Sequence, residues 1–148
     1  ANRLASNSLL EALVFAHRCY VDAVNKVNTL NEIPEVPDWN AGGTSHPKEM
    51  ILITQSLKEL QQVMSDYVGI VRNNIRLQRA MKRIDLLYDE TEGLYQTTTV
   101  SPQLLELRNM ITAGYLIIKG AAFRKESRGL HFNTDYPYKS DLVQNIVL

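Results

Sequence analysis

The chain has 148 residues, 16 Lys and Arg against 16 Asp and Glu, 45% hydrophobic residues and a single Cys, which fits one ordinary globular domain. A net charge of zero excludes the sequence-wide attraction of a nucleic-acid binder and leaves only local basic faces. Cys19 makes no internal disulfide, no apolar run approaches the roughly 20 residues that span a bilayer, and no basic-then-apolar leader opens the chain, so a reducing, cytoplasmic setting without nucleic-acid or membrane partners is expected.

The chain opens Ala1-Asn2-Arg3 rather than with Met, as expected of a piece of something longer. Leu9, Leu10, Leu13, Val14, Val21, Val24 and Val27 recur at a spacing of three to four and predict a first helix over residues 8–30. Ser8 is placed to cap it, with Glu11 completing a Ser-x-x-Glu capping box. Residues 31–47 hold Pro34, Pro37, Pro47 and the Gly42-Gly43 pair, so neither helix nor central strand runs through them and a linker is expected. From Pro47, suited to a first helical turn, the positions Leu52, Ile53, Leu57, Leu60, Val63, Met64, Tyr67, Val68 and Val71 predict a second helix.

Asn73-Asn74 marks either a break or a bend. A third helix follows over about Asn74–Glu92, with Leu77, Ala80, Met81, Ile84, Leu87 and Tyr88 inward and Gly93 as its stop. Ser101-Pro102 supplies a cap and a first-turn proline for a fourth helix built on Leu105, Ile111, Tyr115, Ile118 and Ala122, which Gly129 is expected to end. Residues after Gly129 read as an extended tail, and no alternation long enough for a sheet appears. The fold class predicted is all-α: an antiparallel helical bundle of three main helices plus an N-terminal helix, with an extended C-terminal tail.

The residue pattern offers little chemistry. Glu-x-x-His pairs, which build carboxylate metal sites between helices, do not occur. His17, His46 and His131 lie too far apart to suggest a ligand set, and His17 reads as a packed or interface residue, so no metal is expected. The glycines at 42, 43, 69, 93, 114, 120 and 129 match neither the Rossmann nor the Walker pattern, so the chain is not expected to hold a dinucleotide by itself. Arg72, Arg76, Arg79 and Arg83, at steps of four, three and four, predict one basic helical stripe opposite Leu77, Met81 and Ile84. Such a stripe grips phosphate, or is a solvated face or a dock for an acidic partner. Zero net charge and the lack of interleaved aromatics favour the plainer readings.

Two further segments stand out. Arg3-Leu4-Ala5-Ser6-Asn7-Ser8-Leu9-Leu10-Glu11 puts small polar residues ahead of a helix N-terminus, where unpaired N–H groups and the dipole favour negative charge. That end is either simply capped, or suited to the negative N1 and C2-carbonyl edge of a reduced flavin. Arg124-Lys125-Glu126-Ser127-Arg128-Gly129-Leu130-His131-Phe132 and then Asp135-Tyr136-Pro137 crowd charges around another helix terminus, where basic residues offset the dipole.

Together these segments carry a resemblance. Ala1 to Glu11, with Leu13-Val14-Phe15 behind it, resembles the Ala-Asn-Arg-Leu…Asn-Ser-Leu-Leu stretch near the end of the flavin-binding domain in the succinate dehydrogenase, fumarate reductase and L-aspartate oxidase flavoproteins. Arg124 to His131 with Asp135-Tyr136-Pro137 resembles the Arg-x-Glu-Ser-Arg-Gly-x-His…Asp-Tyr-Pro element of their helical C-terminal domain, and Val68-Gly69-Ile70-Val71-Arg72 is similar to the run between them. The oxidase branch is the closer resemblance. Ala5-Ser6 stands where the succinate and fumarate enzymes usually have Gly-Gly, and Leu130 where they commonly have Ala. Those enzymes also usually continue with an Arg-Asp-Asp…Trp segment, whereas this chain ends eleven residues after Pro137.

The resemblance implies that residues 1–30 end a flavin-binding domain, 31–47 are a linker and 48–148 form the helical domain with its tail. It implies FAD as the cofactor of a whole enzyme that oxidises L-aspartate to iminoaspartate by hydride transfer from Cα to flavin N5, with oxygen or fumarate reoxidising the flavin, for quinolinate and NAD synthesis. The dinucleotide-binding domain, capping domain and proton-transferring residues would lie upstream of Ala1, so the chain alone is expected to be inactive and not to retain FAD. Arg3 takes the position of the arginine that binds substrate carboxylate, and Ser8 and Leu9 those whose backbone contacts the flavin pyrimidine edge. Arg124, Glu126, Arg128 and His131 are expected to form an interdomain polar network. The implied partners are L-aspartate, the upstream FAD and capping domains, and a quinolinate-synthesis enzyme. The alternatives are a succinate dehydrogenase or fumarate reductase flavoprotein subunit and, in a different class, a non-catalytic helical interaction module working through the arginine stripe.

Overall fold

The computed structural model describes residues 7–27, 29, 35–46 and 49–147. They fall into two compact units divided between Asn40 and Ala41. The first unit carries α1 (Asn7–Val27), which buries none of its residues. Leu9, Leu13 and Phe15 all stand well exposed along it, and Lys26 pairs with Asp22 one turn away at 2.8 Å. The helix begins at Asn7, so Ser8 lies inside the first turn rather than at the cap position expected for it.

The second unit is a three-helix bundle of α2 (Met50–Val68), α3 (Asn74–Thr97) and α4 (Pro102–Phe123). Its core is the apolar stripe of each helix turned inward: Ile53, Leu60 and Val63 from α2, Leu77, Ile84 and Leu87 from α3, and Leu104, Leu107, Ile111 and Ile118 from α4. Each such side chain contributes about 1.5–3 kcal/mol by leaving water. The architecture is thus the all-α bundle the spacing predicts. On α4 the inward row runs through Leu104 rather than Leu105, which is 39% exposed, and Ala121 is buried with Ala122 packed beside it against the core. Tyr88, expected inward, is likewise largely exposed on α3.

Helix ends follow local chemistry in some places and tertiary contacts in others. Asn73 caps α3, its side-chain oxygen accepting the Arg76 N–H at 2.8 Å, so Asn73-Asn74 is a true break. Ser101 does the same for α4, accepting from Leu104 N at 3.2 Å with Pro102 behind it. Gly93 does not stop α3. The helix runs on to Thr97 because Leu94 and Tyr95 pack against the core, which outweighs the roughly 1 kcal/mol helix cost of one glycine. Nor does Gly129 end α4, which stops at Phe123 with the Arg124 N–H on Gly120 O. Gly129 instead takes φ +60 in a tight turn closed by paired Arg128–His131 backbone bonds of 2.9 and 3.1 Å, a conformation that suits glycine.

Two short pairings were not visible in the sequence pattern. β1 (Val71–Arg72) pairs in parallel with β2 (Phe132–Asn133), Val71 opposite Phe132 and Arg72 opposite Asn133. The second helix therefore ends before Val71, and the residues after Gly129 are not a free extended tail but fold back onto the bundle. In the expected linker, the chain turns at Gly42-Gly43 and Ser45 then bridges Thr98, with Thr99 N donating to Ser45 O at 2.8 Å. Pro34 and Pro47 lie outside the described residues. Among the described residues no helix is long and apolar enough to cross a membrane, and no group of His, Cys, Asp and Glu could hold a metal ion.

Candidate functional site

The polar residues singled out at the end of α4 separate into two adjoining clusters. In the first, the nearly buried Glu126 carboxylate accepts from Arg124 Nη1 at 2.7 Å, Arg128 Nε at 2.9 Å and the Ser140 backbone N–H at 2.9 Å. Each arginine also reaches the tail: Arg128 Nη2 donates to Ser140 O at 2.6 Å and Arg124 Nη2 to Gln144 O at 3.4 Å. The Ser140 N–H, followed by the two guanidinium groups, holds the Glu126 carboxyl below its usual range against the opposing effect of burial. Between the arginines, Ser127 N donates to Tyr138 O and Ser127 Oγ to Tyr136 O, both at 2.8 Å, while Ser127 Oγ accepts the Asn133 N–H. The Glu-Ser-Arg run therefore binds the tail from both its side chains and its backbone.

His131 belongs to the second cluster. Its Nδ1 lies 2.9 Å from Nη1 of Arg72, and both residues are buried. Arginine only donates, so Nδ1 must offer its lone pair and the ring is neutral, with its proton on Nε2. Burial, followed by the Arg72 charge, pushes the His131 pKa down; the Arg124 backbone and the Glu126 charge oppose this. Among the described residues Nε2 makes no hydrogen bond of good geometry. Arg72 also donates from Nε to Val68 O at 3.1 Å and Gly69 O at 3.0 Å, closing the C-terminal end of α2.

This placement dissolves the predicted arginine stripe. Arg72 sits on β1 and is only 6% exposed, not on a helical face with the other three. Arg76 Nη1 donates to Val71 O at 3.2 Å, Arg79 stacks over Tyr67 at 5.9 Å, and Arg83 lies 3.7 Å from Glu59. The sequence signal that separates Arg72 from the stripe is the pair of breaks at Gly69 and Asn73 on either side of it. The role of Asp135 and Tyr136 had no such signal. Asp135 Oδ2 accepts the Asn74 N–H at 2.8 Å and Tyr136 OH lies 3.3 Å from Asn74 Nδ2, placing a carboxylate on the positive end of α3 from 61 residues away.

Of the residues assigned to the substrate and flavin, Arg3 lies outside the described residues. Ser8 and Leu9 stand exposed in the first turn of α1, where the leading N–H groups of any helix lack an intrahelical acceptor.

Residues 57–145 match the family model described as the fumarate reductase flavoprotein C-terminal region. Among curated relatives, the L-aspartate oxidase of Yersinia pestis is 41% identical over 148 residues, all of this chain and 28% of that protein. The L-aspartate oxidase of Pseudomonas aeruginosa is 44% identical over 137 residues, 93% of this chain and 26% of that one. Among solved structures, Mycobacterium smegmatis Sdh1 in complex with UQ1 superposes with a TM-score of 0.69 at 29% identity, covering 93% of this chain and 25% of that one. The chain spans about a quarter of the length of the relatives it matches. With a family match over more than half its residues and relatives above 40% identity along its length, the chain belongs to the fumarate reductase and succinate dehydrogenase flavoprotein family, as a C-terminal portion.

Proposed function

We propose that the chain is the C-terminal part of an FAD-dependent L-aspartate oxidase, and that it contributes binding and positioning rather than the redox chemistry. The observation that carries this reading is 41–44% identity with proteins named L-aspartate oxidase over at least 93% of the chain. FAD, when bound, supplies the acceptor for the hydride leaving Cα of L-aspartate, giving iminoaspartate for a quinolinate-synthesising partner and so for NAD synthesis. The exposed first turn of α1 suits that group: the leading N–H groups of a helix, here at Ser8 and Leu9, have no intrahelical acceptor and lie at the positive end of the dipole, so they are donors for the electron-rich pyrimidine edge. Arg3 pairs its planar fork with a substrate carboxylate.

In this reading residues 1–30 complete the flavin domain, 31–47 link, and 48–148 are the helical domain. Glu126 with Arg124 and Arg128, and His131 with Arg72, fix the tail so that one ordered surface meets the flavin and capping domains. The 148-residue chain alone neither turns over aspartate nor retains FAD.

The test is to assay the whole protein with L-aspartate, following peroxide, and with succinate and an artificial acceptor. Aspartate turnover supports the reading. Succinate turnover with none of aspartate would assign the protein to the dehydrogenase branch instead. Purification of the 148-residue chain with a stable flavin spectrum would refute the division of roles.

A further inference from the structure

We propose that the cleft beside Arg72 binds a carboxylate carried on a short aliphatic body. A cavity of about 420 Å³ opens where the end of α2, β1, α4 and the Gly129 turn meet, with Met64, Val68, Ile70, Ile117 and Leu130 in its walls and Arg72 as the sole charged residue of its lining among the described residues. That volume is in the range of small-molecule sites, about 300–1,000 Å³. Buried charges in proteins are ordinarily paired, because an unpaired one forfeits its hydration. Arg72 departs from this: it is 94% buried, and among the described residues no Asp or Glu oxygen lies within ion-pair distance of it.

Its hydrogen bonds are incomplete in the same sense. Nε is taken by the Val68 and Gly69 carbonyls and Nη1 by the His131 ring, all neutral acceptors, while Nη2 has no protein acceptor among the described residues. A planar guanidinium with a free edge matches a planar carboxylate. One cation set in apolar walls suits a single negative charge with a hydrocarbon body, whereas a phosphate dianion would be stripped of water and only half neutralised. This inference rests on the bundle alone and stands apart from the aspartate oxidase reading.

The experiment is a titration of the 148-residue chain with sodium octanoate, followed by NMR at the Arg72 Nε–H and the Ile70 and Ile117 methyls, with acetate and 1-octanol as controls. Saturable shifts at both the guanidinium and the methyls are expected for octanoate, with weaker binding of acetate and of octanol. Arg72→Gln should weaken octanoate by about tenfold or more, as for loss of a charge-assisted hydrogen bond. Because that variant also opens the α2 terminus, Ser65→Phe is a second probe. Ser65 is an exposed α2 residue in the cavity lining, so the ring fills the cleft and should abolish the octanoate shifts with Arg72 intact. The proposal is overturned by no saturable shift, by octanol or acetate binding as tightly as octanoate, or by unchanged octanoate affinity in Ser65→Phe.

Discussion

Gly114 of α4 stands against side chains of α2 and α3 with no room for a side chain of its own, and the consequences are measurable. A Cβ placed on Gly114 lies 2.9 Å from Cδ1 of Ile84, 3.4 Å from Sδ of Met64 and 3.6 Å from Cδ1 of Leu60. Carbon atoms pack best at about 3.5–4.0 Å, so the first contact is too short by at least roughly 0.6 Å. Ile84 is 1% exposed within the core, so admitting the new Cβ requires its Cδ1 to shift from its packed position. Overpacking of that kind costs about 1–3 kcal/mol, while Gly→Ala inside a helix returns about 0.8–1.0 kcal/mol. Gly114→Ala should therefore destabilise the bundle by a net ~1 kcal/mol. Ile84→Val removes the offending methyl and alone costs about 0.5–1.5 kcal/mol. In the double variant the new Cβ occupies the vacated space, so the two changes should couple favourably by ~1 kcal/mol or more. Urea unfolding followed by far-ultraviolet circular dichroism, with the slope unchanged, measures all four corners of the cycle. Gly114→Ala more stable than the parent by the full propensity gain, or effects additive within about 0.5 kcal/mol, would refute the packing argument.

Three further outcomes are expected. Ser101→Ala removes the acceptor for Leu104 N and should cost about 1 kcal/mol in the same urea assay. Glu126→Gln should speed amide exchange at Ser127 and Ser140 while leaving Leu87 in α3 unchanged; equal acceleration at Leu87 would mean that the cluster supports the whole bundle rather than the tail. The Glu126 carboxyl is held below its usual value of 4.5, so its contribution is full above that pH and is lost only as pH falls through the lower folded value. His131 is held below 6.5, so the stability it contributes is full above that pH and declines as pH falls beneath it, with a limiting slope of about 1.4 kcal/mol per pH unit. His131→Gln should flatten that part of the stability curve, and a His131 ring titrating at or above 6.5 in the folded chain would contradict the neutral, lone-pair-bearing assignment.

The bundle was legible because its helices are amphipathic over many turns and two of their starts carry side-chain caps, at Asn73 and Ser101. What periodicity could not resolve was rotation by a single position. Leu104 and Leu105 are adjacent and chemically identical, and only packing against α3 selects the first. The rule that glycine stops a helix fails at Gly93 and Gly129 for different reasons, since one is absorbed by tertiary packing and the other serves a turn. In the candidate site, the residues around Arg124 to His131 drew attention because charge is dense there. Ser140 has no local signal, and Arg72, though conspicuous in sequence, gives no hint of His131 as its partner, since a two-residue β pairing and a buried Arg–His contact leave no periodicity to detect.

That β1–β2 pairing also bears on the order in which the molecule assembles. Arg72 and His131 are 59 residues apart with the whole α3–α4 hairpin between them, and closing so long a loop carries an entropy cost that local helix formation does not. The hairpin can form from near neighbours, but the Arg72 guanidinium receives its last protein ligand only when the tail arrives. Completion of this buried site is accordingly expected late in folding, since during synthesis from the N-terminus it waits for β2 and His131, which follow both helices of the hairpin.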